Sequence, residues 1–209
     1  MMTTKTEDKI KQEYIEKAFS YSEYQELIDN LLEENKTTGD NHSDSYLHYT
    51  KMNVQRMSRL DKRIKLSDEL KEAADGLDED IMFLALTEAW CGDAAQNLPL
   101  FHKLEEYSNQ FELKLLLRDE NLDLMDQFLT NGGRSIPKVI ALESDTLSVK
   151  WDWGPRPAKL QEKYLEAKKD PDFDYKETAK DIQLWYAKDK TETLQKELVE
   201  LMKKQWDNM

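Results

Sequence analysis

Residues 81–95 read IMFLALTEAWCGDAA, and this stretch decides the fold. Its first seven residues are a continuous apolar run, which is typical of a strand buried on both faces of a sheet. A short corner follows and contains Cys91, the only cysteine in the chain. A helical pattern then runs from about Ala94 to Tyr107. The stretch therefore predicts a buried strand, a tight corner with a lone thiol, and a helix.

Three more strands are predicted after this corner. Residues 111–117 and 138–143 are also apolar runs, whereas residues 147–153 alternate between apolar and polar as an edge strand does. A helix separates strand 81–87 from strand 111–117, so these two are expected to be parallel, and strands 138–143 and 147–153 form a hairpin. A short helix is expected at 121–131. The predicted fold class is α/β, a three-layer sandwich with a mixed central sheet.

Extra helices are predicted at both ends of the chain. Helical periodicity covers 8–35 and, after a polar break, extends to Ile64. A further short helix is expected at 67–75. Gly154-Pro155 is predicted to open a helix, because proline suits the first turn. From residue 173 onward the chain is predicted to be helical again, with one long apolar face.

The composition limits the classes of partner. The net charge is −13, from 30 basic and 43 acidic residues. Nucleic acids and anionic lipids attract Lys and Arg, so neither a nucleic acid nor a membrane is expected as a partner. No apolar stretch approaches the ~20 residues that span a bilayer, and the first residues lack the apolar centre of a signal peptide. We expect a cytoplasmic protein; the residues leave open a periplasmic one whose leader was removed.

No metal or cofactor site is predicted. The three histidines, His42, His48 and His102, lack metal-ligand spacing to one another or to the cysteine. Gly132-Gly133-Arg134 is interpreted as a helix stop and turn, not as a phosphate-binding loop. We therefore expect neither a metal nor an organic cofactor.

Two motifs resemble the active site of the thioredoxin superfamily. The first lies at the position of that family's Trp-Cys-x-x-Cys motif and consists of Trp90, Cys91, Gly92, Asp93 and Ala94. The second is similar to the loop in which a cis-proline faces the active cysteine, and it consists of Ser135, Ile136 and Pro137. The hairpin and the closing helix follow in the family's order. The sequence WGPRP at 153–157, with the helical extensions, resembles a bacterial subgroup of the superfamily.

The resemblance divides the chain into three parts. It covers 66–168, which is expected to be the thioredoxin-like domain. Residues 1–65 are then an N-terminal helical extension. Residues 169–209 are a C-terminal helical extension that packs on the body. A dimer contact is the alternative for this last segment, so the protein is expected to be a monomer or a homodimer through its helical extensions.

The position of Cys91 favours a reactive thiol. It precedes a helix, where backbone N–H groups and the helix dipole stabilise a thiolate and lower its pKa. Gly92 leaves room at the turn, and Trp90 is expected to cover one side of the sulfur. Asp93 disfavours a second negative charge, although it is interpreted first as a residue that caps the helix start. The net direction of the pKa shift of Cys91 is left open.

The resemblance also indicates what this site lacks. Ala94 occupies the place of the family's second, resolving cysteine, and Ala85 the place of its buried acid; Glu88 is not assigned that acid's role. Cys91 can therefore form a mixed disulfide, but an external thiol must release the product. The expected function is monothiol thiol–disulfide exchange with a protein or a low-molecular-weight thiol or disulfide. The alternative is a redox-inactive protein-interaction module, in which a cis Ile136–Pro137 bond would still expose backbone to an extended segment.

Overall fold

One mixed sheet forms the centre of the computed structural model, which describes residues 10–206. Its strands are β1 (Phe19–Ser20), β2 (Ile81–Thr87), β3 (Phe111–Leu117), β4 (Lys138–Glu143) and β5 (Val149–Trp153). The order across the sheet is β1-β3-β2-β4-β5. β2 and β3 are parallel, and every other pair is antiparallel. The predicted mixed sheet, with its parallel pair and closing hairpin, is confirmed.

Helices lie before, between and after the strands. They are α1 (Gln12–Lys17), α2 (Tyr21–Glu33), α3 (Asp44–Arg63), α4 (Asp68–Asp75), α5 (Gly92–Tyr107), α6 (Leu122–Met125), α7 (Ala158–Ala167), α8 (Tyr175–Asp189) and α9 (Glu192–Trp206). A short 3-10 turn, Arg118–Glu120, follows β3. Among the described residues, no helix is both long and apolar enough to cross a membrane.

The central strand β2 explains why the apolar run is continuous. All seven of its residues are buried, which requires cover on both faces of the sheet. On one face, Phe83 packs against Phe101 of α5, with ring centroids 5.1 Å apart, and stacks on Phe111 of β3 at 5.5 Å. The continuous apolar run thus marks the central strand of an α/β sheet, as predicted.

The prediction of a single helix over 8–35 is wrong. Residues 8 and 9 lie outside the described residues. The helix is interrupted by β1, which pairs antiparallel with β3 through Phe19–Leu115 and Ser20–Lys114. Ser20 also begins α2, because its side chain and Glu23 form a reciprocal capping box. Two residues are too few to show an alternating pattern, so the sequence did not predict this strand.

Two further corrections concern the C-terminal half. Gly154-Pro155 does not open a helix: the peptide bond is cis, Gly154 has φ +128°, and α7 begins only at Ala158. The apolar face after residue 173 belongs to two helices, because Lys190 and Thr191 both adopt positive φ between α8 and α9. The helix expected at 121–131 is also shorter, since α6 ends at Met125.

The two C-terminal helices pack differently. α9 places Leu194, Leu198 and Met202 in the main hydrophobic core. α8 instead contributes Ile182 and Tyr186 to a small separate cluster with Leu160 of α7. α9 is therefore integrated into the body of the fold, whereas α8 lies on its surface.

Candidate active site

Cys91 lies at the corner where β2 leads into α5, and it is the N-cap residue of that helix. Its backbone N–H donates to the carbonyl oxygen of Glu88 over 3.0 Å, which closes a tight turn after the strand. Its sulfur accepts a hydrogen bond from the backbone N–H of Ala94 over 3.5 Å. The thiol thus takes the position that a serine or aspartate side chain occupies at most helix starts.

The loop before β4 faces this thiol. The Ile136–Pro137 peptide bond is cis, as predicted. The Cys91 thiol donates a hydrogen bond to the carbonyl oxygen of Ile136, with 3.3 Å between sulfur and oxygen. Ser135, the third predicted loop residue, is half-buried and makes no hydrogen bond to Cys91 within the described chain. The structure therefore brings one backbone atom of the loop to the sulfur.

The direction of the pKa shift, which the sequence left open, is upward. Burial raises the pKa of Cys91 to about 12, and the negative charge of Asp93 adds to the effect. The backbone N–H groups of Ala94 and Asp93 and the charge of Arg156 oppose it without reversing it. Only 8% of the residue is exposed. Loss of water around the sulfur outweighs the stabilisation of a thiolate by the helix start.

Asp93 does not cap the helix, contrary to the first interpretation of the sequence. Its carboxylate pairs with Arg156, whose Nε and Nη2 lie 3.1 and 2.5 Å from Oδ2. Its other oxygen accepts the hydroxyl of Tyr186 over 2.8 Å. That hydroxyl in turn accepts from Asn97 Nδ2 over 2.9 Å. A buried carboxylate needs such partners, and both come from segments far along the chain.

Side chains from α3 and α8 lie over Gly92. A methyl group added to Gly92 would lie 3.1 Å from Nε2 of Gln183 and 3.5 Å from Nη1 of Arg56. Gln183 also accepts a hydrogen bond from Gln96 of α5 over 2.7 Å. The helical extensions therefore reach the thiol corner from two sides.

Trp90 packs between two side chains next to the corner. Its ring lies 5.1 Å from that of Tyr46, and the Arg118 guanidinium stands over it at 5.2 Å from the ring centroid. A cation over an indole face is attracted by the ring quadrupole. The indole is half-buried and held in place by both neighbours. That it covers the sulfur itself stays a prediction.

Sequence and structure comparisons identify the family and the fold. A family model described as thioredoxin matches residues 39–180. The chain belongs to the thioredoxin superfamily. A comparison with curated protein sequences finds no match. The chain is also similar in fold to two crystal structures, an HIV epitope scaffold (TM-score 0.56) and a protein of unknown function from Pseudomonas aeruginosa (TM-score 0.58). Each of the two is 18% identical to this chain, and each match covers 88% of this chain and 98% of the other.

Two alanines near the corner are buried, Ala94 and Ala85. That they stand at the places of the resolving cysteine and its acid is what the sequence resemblance implies. Glu88 is also fully buried, but one carboxylate oxygen accepts the backbone N–H of Asp119 over 3.0 Å. Burial raises the pKa of Glu88. Its bond to Asp119 holds the turn after β3.

Four side chains that contact the residues after Cys91 were not predicted from the sequence: Arg56, Arg156, Gln183 and Tyr186. The motif WGPRP drew attention to the segment that contains Arg156, but it did not predict that Arg156 pairs with Asp93. The other three lie on helices whose packing only the fold reveals. Within the described part of the chain, no group of three or more His, Cys, Asp or Glu residues could hold a metal ion.

Proposed function

We propose that this member of the thioredoxin superfamily carries out monothiol thiol–disulfide exchange through Cys91. The observation that carries the proposal is the contact of the Cys91 sulfur with the carbonyl oxygen of Ile136, 3.3 Å away. Ile136 precedes the cis bond to Pro137. Together with the N–H of Ala94, this contact fixes the sulfur between the start of α5 and the loop before β4. The superfamily places its attacking thiol at the same corner.

The exchange has two steps. The Cys91 thiol loses its proton, and the thiolate attacks one sulfur of a substrate disulfide; the S–S bond breaks, and the other half leaves as a thiolate. A second, external thiol then attacks the mixed disulfide and regenerates Cys91. That thiol is a low-molecular-weight compound or a protein, because Ala94 supplies none. A reducing cytoplasm would provide it, which is our proposal for the location.

The thiol of the described conformation is protonated. With a pKa of about 12, it is ionised in roughly one molecule in 10⁵ at pH 7. The reacting form is therefore a conformation in which water reaches the sulfur and the bond to Ile136 is broken. Exchange by the resting protein is expected to be slow.

The test is the formation of a mixed disulfide. Incubation with glutathione disulfide should add one glutathionyl group to the intact protein, detected by mass spectrometry, and glutathione should remove it. Cys91→Ser is the matched control and should add none. A wild-type protein that stays unmodified after prolonged incubation at pH 8 would refute the proposal.

A redox-inactive interaction module is the second candidate, and the burial of Cys91 favours it. In this function the helical extensions provide the binding surface, and the simplest partner is a second copy of the chain. Sedimentation velocity over a range of concentrations tests this. A dimer that forms equally in the wild type and in Cys91→Ser supports this function. If both proteins stay monomeric, self-association is contradicted.

A further inference from the structure

α8 is attached to the body less firmly than α9, the helix that follows it. None of its residues belongs to the main hydrophobic core, and its buried side chains, Ile182 and Tyr186, pack only in the small cluster with α7. The next helix, α9, contributes three fully enclosed apolar side chains to the main core. Segments with few buried apolar contacts open at lower free energy than the core.

The polar contacts of α8 are concentrated on the first turns of α5. The Tyr186 hydroxyl donates to Asp93 and accepts from Asn97. Gln183 accepts from Gln96, and its amide nitrogen lies over Gly92. These residues of α5 follow directly after Cys91. The contacts that hold α8 thus lie on the first turns of the helix that Cys91 caps.

Both ends of α8 are suited to movement of the helix as a unit. A mostly exposed segment, 168–174, connects it to α7. At its other end Lys190 and Thr191 have φ of 51° and 70°. Neither is glycine, so the left-handed backbone is unfavourable there, and a change of conformation would relieve it. A few residues at an element's end are enough to absorb a hinge motion.

We propose that α8 is an autoinhibitory cover, which closes the Cys91 corner and is held shut by the hydrogen bond of Tyr186 to Asp93. The proposal rests on the monothiol function proposed above. When α8 lifts, Gln183 leaves Gly92, water reaches the sulfur, and the exchange can begin. Asp93 thereby serves as the fixed point to which the cover is attached, while Arg156 holds its carboxylate in place.

The experiment measures access to the sulfur, independently of any exchange. Cys91 is the only cysteine, so the rate of alkylation by iodoacetamide reports on it alone. Tyr186→Phe removes the hydroxyl and keeps the ring in its cluster. Loss of a buried hydrogen bond to a charged group should raise the open population, and the alkylation rate, about tenfold.

Tyr107→Phe is the matched control. The Tyr107 hydroxyl also donates to a carboxylate, that of Asp75 at 2.9 Å, but at the far end of α5. Its alkylation rate should equal that of the wild type. Equal rates in Tyr186→Phe and the wild type would overturn the cover, as would an equal rise in both variants.

A second measurement needs no variant. Wild-type protein alkylated at Cys91 should show faster amide hydrogen exchange in 175–189 than unmodified protein, with 192–206 unchanged. Unchanged exchange in 175–189 would also overturn the cover. If Tyr186→Phe speeds alkylation but forms no mixed disulfide with glutathione disulfide, the cover stands and the exchange function fails.

Discussion

The thiol of Cys91 donates a hydrogen bond to the carbonyl oxygen of Ile136, 3.3 Å away on the opposite loop. The proton that must leave before the sulfur can react is therefore held by an acceptor. Burial acts in the same direction, because it removes the water that would stabilise a thiolate. The corner thus holds the thiol of Cys91 in its protonated, unreactive form.

The pH dependence of alkylation should show this directly. Since the pKa of Cys91 is raised to about 12, the rate constant of the folded protein should keep rising from pH 7 to 10 without reaching a plateau. The same chain in denaturant is the control and should titrate near ~8.5. A midpoint for the folded protein at or below that value would contradict the buried, neutral thiol.

Stability should fall at high pH because of the same group. Above the unfolded pKa of ~8.5, the unfolded chain loses the thiol proton while the folded chain keeps it, so rising pH favours unfolding until the folded pKa is passed. Between pH 8 and 10 the wild type should lose about 2 kcal/mol relative to Cys91→Ser. Urea unfolding at the two pH values gives the difference in free energy of unfolding between the two proteins. The tyrosines are the same in both, so their titration cancels in this difference. An unchanged difference would show that the pKa of Cys91 is not raised.

Asp93→Asn should destabilise the fold strongly. The substitution keeps the side-chain shape but leaves the Arg156 guanidinium, 11% exposed, without its charged partner, and breaking a buried pair costs about 3 kcal/mol or more. Asp126→Asn is the control, because Asp126 pairs with Arg134 in a similar geometry on the surface; little change is expected there. Urea unfolding compares them, and equal effects would mean that the Asp93 pair contributes no more than a surface pair.

The missing second cysteine should limit disulfide reduction. We expect very low insulin reduction by the wild type, and a clear rise in Ala94→Cys, because that thiol could release the mixed disulfide. Ala85, buried at the place of the acid, should keep the rate below that of a true dithiol enzyme. Ala95→Cys adds a thiol at the adjacent buried position and should not raise it. High activity in the unaltered protein would overturn the argument from Ala94.

Gly154→Ala should be severely destabilising. A methyl group at Gly154 would collide with the backbone carbonyl of Pro137, and its φ of +128° disfavours any side chain. Collision and backbone strain together should cost at least about 3 kcal/mol. Gly132→Ala, at φ +76° with nothing within 4 Å, carries the strain alone and should cost about 1 kcal/mol. Thermal unfolding compares them, and equal losses would show that the close approach to Pro137 is unimportant.

The sequence predicted the centre of the fold well for a physical reason. β2 is buried at every position, and only a strand covered on both faces produces such an uninterrupted apolar run. The bounds of β2, β3 and β4 were predicted to the residue. The cis bond before Pro137 followed from the family resemblance, because local sequence alone favours a trans bond.

The surroundings of the thiol could not be predicted in the same way. Asp93 resembles a helix cap in its local sequence, but Arg156 and Tyr186 bind it from 63 and 93 residues away. Such contacts leave no periodicity. The pKa of Cys91 also depends on the folded structure, because burial of the sulfur outweighs the local effect of the helix start.

The two residues of β1 affect how far the edge of the sheet is open to pairing with another chain. The open edge of a sheet is a template on which another chain can add a strand. Phe19 and Ser20 occupy part of that edge on β3, and among the described residues the opposite edge is β5. β1 thereby closes part of the β3 edge to such pairing, and a chain shortened to begin at Tyr21 would expose the backbone of β3 at Lys114 and Leu115.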